Sequence, residues 1–199
     1  MSAIRIESFS RHDLQGEITA MNREFLALAS NPRVAGHSRV LGLDAAVISA
    51  LQAMNAEQQH KLAASPVLLV GFSSLTENAP QSDFYQVAES HAPADWLESV
   101  GAYANRLLAT LWHYSRQANE LTGFCLGLDS YAMRSLANMS FSELGDHAPL
   151  ICASLNARHA GHPVCWADMA RMAVNDDDKL SVAQLSLIPL SVAIAYGNQ

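Results

Sequence analysis

The sequence predicts a mainly α protein made of two tandem copies of one helical unit. Three observations carry that expectation. Apolar residues recur at helical spacing in two long stretches, and polar N-cap residues open the short apolar-periodic segments. In addition, a 23-residue block recurs without a gap 85 residues further on. Seven of the 23 pairs between Leu41–Ala63 and Leu126–Ala148 are identical, starting with Leu-Gly-Leu-Asp in both. Upstream, Met21–Ala29 echoes Ala104–Leu111, and downstream Ser65–Phe72 echoes Pro149–Leu155 with small length changes. Chance can supply a few matches but not the same order of blocks on both sides. Residues 1–75 form the first repeat, 76–92 a linker rich in turn formers, and 93–199 the second repeat with a C-terminal helix.

Each element has a local reason. Ile18, Met21, Phe25 and Leu28 mark the apolar side of a leading helix from about Leu14 to Ser30, with Pro32 past its end. After the loop NPRVAGHSRV, Asp44 caps a short helix carrying Val47, Ile48, Leu51 and Met54. Asn55 opens a second short helix with Gln58 three residues on, a capping-box pattern that Ser140 and Glu143 repeat. Val67–Phe72 and Leu150–Leu155 follow prolines as apolar runs and are expected as strands or buried extended segments. Trp96, Val100, Tyr103, Leu107, Leu111 and Tyr114 mark the second leading helix. A short helix at WADMARMAV, an NDDD break and an apolar C-terminal helix complete the chain.

Composition narrows the function. Half of the 199 residues are apolar and 16% are charged, so an unfolded chain is excluded. Twelve Lys+Arg against 19 Asp+Glu give a net charge of −7, which disfavours coating nucleic acid or an anionic membrane by bulk charge. Cys125, Cys152 and Cys165 are odd in number and unevenly spaced, not a disulfide framework. The N-terminal MSAIRIESFSRHDL lacks an apolar h-region, and Leu180–Tyr196 is short for a bilayer span and contains Gln184 and Pro189. A cytoplasmic protein is expected.

The order of leading helix, basic loop, Leu-Gly-Leu-Asp, Leu-x-x-Met/Leu, capped short helix, Leu-Ala and apolar Leu-x-Cys-type run resembles the FlhD family of bacterial flagellar regulators. The second repeat carries more of the pattern: Asn105–Tyr114, Leu126-Gly127, Leu136, the Ser140 cap, Leu150-Ile151-Cys152 and Asp177-Asp178 ahead of an apolar helix. The first repeat matches from Asn22 to about Phe72. The resemblance implies an all-α dimer that activates transcription together with FlhC. Here two units share one polypeptide, so the expectation is an intramolecular pseudo-dimer, for which pairing does not depend on concentration. The family's cysteine near the dimer contact is matched by Cys152, but Leu69 stands at the corresponding place in the first repeat, so no bridge is expected.

The repeats differ in charge. Arg33, His37 and Arg39 precede the first helix pair, and Gln58, Gln59 and Lys61 lie on its second helix. These residue types donate to phosphate and read base edges, so they are the candidate DNA-binding set; the other reading is a solvated helix face. The second repeat has Glu143 and Asp146 instead, which with Asp176, Asp177 and Asp178 form the candidate docking face for a basic companion, FlhC-like or another regulatory protein. Cys152, His159, His162 and Cys165 fit the ligand types of a tetrahedral zinc site, but the spacing lacks the usual paired Cys-x2–4-Cys, so no metal or other cofactor is expected. No P-loop, dinucleotide fingerprint or HExxH is present, and no catalytic role is expected. Two functions remain: a FlhD-like regulator subunit working with a partner on DNA, and an adaptor or anti-activator that no longer contacts DNA.

Overall fold

A computed structural model describes residues 3–34, 39–72, 93–117, 120–160, 163–175 and 180. Side chains are described from Asp13 on, apart from those of Arg39, Phe72, Glu120 and Pro163. The protein is mainly α. Among the described residues there are eight α-helices: α1 (Ala3–Ala29), α2 (Ala45–Ala53), α3 (Ala56–Ala63), α4 (Ala94–Ser115), α5 (Glu120–Leu126), α6 (Ser130–Asn138), α7 (Phe141–Ser154) and α8 (Pro163–Val174). Two short antiparallel pairs join them: β1 (Arg39–Val40) with β2 (Leu43–Asp44), and β3 (Val70–Phe72) with β4 (Leu155–Ala157). None of the described helices is long and apolar enough to cross a membrane.

The leading helices α1 and α4 pack on each other and form the middle of the core. The Phe25 ring lies 6.4 Å from Tyr103 of α4 and 6.2 Å from Trp166 of α8, all three buried. Trp96 Nε1 donates to the carbonyl of Leu28 at 3.1 Å. Two surface ion pairs, Arg33 with Asp95 and Arg106 with Glu24, join the two helical halves.

The matched blocks have matched local structure. Asp44 accepts from the Val47 N–H at 2.9 Å and Asp129 from the Ala132 N–H at 2.7 Å, so α2 and α6 start alike. Both helices run nine residues and end at Met54 and Met139, in extended conformation, each donating back three residues. Both following helices start with a complete capping box, Asn55/Gln58 and Ser140/Glu143.

Leu-Gly-Leu-Asp serves two different turns. In the first repeat Leu41 (φ 50°) and Gly42 (φ 79°) make the two-residue link of the β1–β2 hairpin. In the second repeat the same glycine position, Gly127 (φ 77°), ends α5. There Leu128 N–H donates to Gly123 O at 2.8 Å and Gly127 N–H to Phe124 O at 3.2 Å, the paired bonds of a Schellman end. Both glycines lie in the left-handed region, where a side chain is strained.

The structure corrects two expectations. The first leading helix starts at Ala3, not near Leu14. Leu150–Ser154 is helical: α7 runs through Pro149, and only Leu155–Ala157 is extended. Burial of Leu144 and Ile151 on a helix packed along α4 outweighs the one backbone bond that Pro149 gives up. Cys152 sits in α7. The linker 76–92 and the C-terminal helix beyond Leu180 lie outside the described residues.

Candidate functional site

The first repeat's basic set is spread over three elements. Arg33, in a 3-10 turn at Pro32–Val34, forms an ion pair with Asp95 at the start of α4. Arg39 lies in β1 and His37 falls outside the described residues. On α3, Gln58 accepts from the Asn55 N–H at 2.9 Å and donates to the Val174 carbonyl of α8 at 3.2 Å. Gln59 donates to Leu51 O at 3.4 Å, and Lys61 pairs with Glu57 at 3.2 Å. The helix itself packs between α1 and α8. Thus Arg33, Gln58, Gln59 and Lys61 are committed to partners within the chain.

The same is true of other described cations. Arg106 holds Glu24 at 2.6 Å, Arg171 holds Asp168 at 3.1 Å, Arg23 meets His60 at 3.1 Å and Arg116 stacks over the Trp112 ring at 4.6 Å.

Glu143 and Asp146 are both exposed on α7. Glu143 accepts from the Ser140 N–H at 2.6 Å and from its hydroxyl at 2.7 Å. These bonds hold its carboxyl below the usual carboxylate range. It is therefore a helix cap that also presents a charge. Asp176, Asp177 and Asp178 lie outside the described residues.

The cysteine–histidine set is divided among elements. Cys152 is on α7, His159 (φ 60°) in the turn after β4 and Cys165 on α8, while His162 lies outside the described residues. Among the described residues, no three His, Cys, Asp or Glu are grouped as a metal would need. Burial pushes the Cys125 and Cys165 thiols up, disfavouring the thiolate form.

Sequence reasoning missed two polar residues, one that fixes the chain within the first repeat and one that links the two repeats. Asn22 is fully buried on α1; its Nδ2 donates to Ala63 O at 3.1 Å and Val67 O at 3.0 Å, and its Oδ1 accepts from Leu69 N–H at 2.7 Å. It thereby fixes the chain between α3 and β3. Arg158, just after β4, donates to Leu68 O at 3.2 Å and to the last carbonyls of α5, Cys125 O and Phe124 O, at 3.4 Å each. Burial lowers its pKa to about 10, so the guanidinium stays charged at neutral pH and complements the negative end of α5. A lone Asn in an amphipathic helix reads as an exposed polar residue, and nothing in the sequence marked Arg158.

The second repeat also exposes large apolar side chains. Tyr131 and Phe141 occupy the positions of Ala46 and Ala56 in the first repeat, all four exposed. Phe141 is held edge-on to Trp112 at 6.2 Å. Comparison with family models, with curated proteins and with solved structures gives no match.

Proposed function

We propose that the chain is a FlhD-like regulatory subunit, folded as an intramolecular pseudo-dimer, that acts through a protein partner in the cytoplasm and leaves promoter contact to that partner. The pseudo-dimer reading is supported by the β3–β4 register. Val70 pairs with Ala157, Gly71 with Asn156 and Phe72 with Leu155. Gly71 and Asn156 are 85 residues apart, the same spacing that relates the repeated blocks. Each strand therefore faces its own counterpart about a local twofold, the arrangement of an isologous contact. Antiparallel packing of α1 on α4 is in keeping with the same axis, with Phe25 on Tyr103 and Glu24 on Arg106 near the matched Asn22-Arg23 and Asn105-Arg106 pairs.

One observation supports the choice of protein contact over DNA reading: the candidate donors whose side chains are described, Arg33 in the turn after α1 and Gln58, Gln59 and Lys61 on α3, are engaged within the chain. A DNA-reading helix needs donors aimed at phosphate and base edges, and releasing these would break existing contacts. The test is fluorescence anisotropy of a labelled promoter duplex with the isolated chain at about 100 mM salt, where phosphate contacts still register strongly. No saturable binding is expected. Saturable binding that is lost when Arg33, Arg39 and Lys61 are replaced together by Ala would overturn the reading in favour of direct DNA contact.

A further inference from the structure

We propose that the exposed face of α8 is a self-association surface, on which a second copy of this chain docks antiparallel about a twofold axis. This goes beyond the protein-partner reading and does not depend on it. Trp166, Met169, Ala170 and Ala173 are buried and turn one side of α8 into the fold. At about 100° per residue, Val164, Ala167, Asp168, Arg171 and Val174 fall within an arc of about 120° on the opposite side. Val164 is 70% and Val174 46% exposed. Between them the half-exposed Asp168 and Arg171 side chains pair at 3.1 Å.

The order of residues along this face selects the occupant. Val164 precedes Asp168 by one turn and Val174 follows Arg171 by one turn, so apolar ends flank a central acid–base pair. Reversed against itself, that order is its own complement. A twofold axis near position 169 sets Val164 opposite the other copy's Val174 and Asp168 opposite the other copy's Arg171, and each contact occurs twice. A parallel arrangement would set acid on acid and base on base. Ala167 lies beside the axis, where a small side chain lets two helices approach within about 8–10 Å. The valines supply the attraction and the charges fix the register, because exposed ion pairs add little each. One helix on one helix covers less than the roughly 1,200 Å² of a stable interface, so association is weak and depends on concentration.

Sedimentation equilibrium of the full-length chain reads the dimer directly, from about 5 to 500 μM and at about 150 mM salt to screen the net charge of −7. Wild type should pass from monomer to dimer across that range. Asp168→Arg and Arg171→Asp each set like charges opposite one another and should raise Kd at least about tenfold. Asp168→Arg also lowers the net negative charge, so bulk repulsion alone would predict the opposite change. The double exchange, D168R with R171D, restores the self-complementary order and should return Kd to within about threefold of wild type. An equimolar mixture of the two single variants should form a heterodimer, since each supplies the charge the other lacks. Val164→Ser should weaken the dimer, whereas Phe141→Ala, an exposed apolar change on α7, should leave Kd within about twofold. Circular dichroism should show every variant as folded as wild type. A monomer throughout the range would overturn the proposal, as would an unchanged dimer in any of the three single α8 variants. So would equal loss in Phe141→Ala, or no rescue in the double exchange or in the mixture.

Discussion

The two helix pairs, α2–α3 and α6–α7, start from the same caps and end in different surroundings. In the first repeat α3 stops at Ala63 after eight residues, and Asn22 seizes the chain that follows. In the second repeat α7 continues for 14 residues and enters β4 directly. Asn105, which matches Asn22 in the sequence echo, is exposed and donates to Gly101 O of its own helix at 3.1 Å. α8 then crosses to pack on α2 and α3. Accordingly Met54 and Leu62 are buried, while Met139 and His147 at the equivalent places are half-exposed. The difference teaches that one sequence pattern yields an internal brace when a buried amide and a covering helix lock it, and an outward face when they do not.

Asn22 gives the sharpest way to break this comparison. Asn22→Ala leaves two buried carbonyls and one N–H without partners, so stability should fall by roughly 3 kcal/mol. Asn105→Ala should stay within about 0.5 kcal/mol of wild type. Urea unfolding with slopes checked for constancy reads both; equal effects would show that the two amides are not differently used.

The shared glycine position comes next. At φ 79° and 77° either alanine is strained, and a Cβ on Gly42 would stand 2.9 Å from the Ala160 Cβ, whereas on Gly127 it would meet the end of the Arg158 side chain at 3.2 Å. Gly127→Ala should lower stability by about 1–2 kcal/mol, and Gly42→Ala by more, because a Cβ against a Cβ has nowhere to move. Thermal melts of the pair decide the order; Gly127→Ala as the worse variant would show that Arg158 is the less adaptable neighbour.

Removing the caps should affect the repeats alike. Asn55→Ala and Ser140→Ala should each lose about 1 kcal/mol. Amide hydrogen exchange should place the loss in α3 for the first and α7 for the second. The smallest effect separates the boxes by pH. Glu143 has a depressed carboxyl pKa, so its contribution is present above the unfolded value near 4.3 and is lost as pH falls through the lower folded value. Gln58 does not titrate. Glu143→Gln should therefore differ from wild type at neutral pH and converge with it at acid pH, whereas Gln58→Ala should show a constant difference.

Much of this was legible in local sequence. Asp44, Asn55, Asp129 and Ser140 announce their helices because a cap is a contact within three residues. The repeat spacing was equally plain. Contacts made far along the chain were not: Gln58 with Val174, Arg33 with Asp95 and the Arg158 staple depend on how α8 and α4 return to the first repeat. Arg33 and Gln58 looked available in sequence because Asp95 and Val174, which engage them, lie 62 and 116 residues away. Pro149 signalled a break, but packing along α4 decided otherwise.

The β3–β4 pairing has a consequence for how the protein is made. Its partners are 85 residues apart, so β3 emerges from the ribosome long before β4 exists. At about 5–20 residues per second the strand waits roughly 4–17 seconds with an unpaired edge. Val70 and the neighbouring Leu68 and Leu69, all buried in the finished fold, are exposed during that interval. An apolar edge of this kind is a template for aggregation, and long-range closure is slow. Expression yield should thus depend on translation speed and chaperone supply between the two strands, and synonymous codons that hasten the second repeat should raise the soluble fraction.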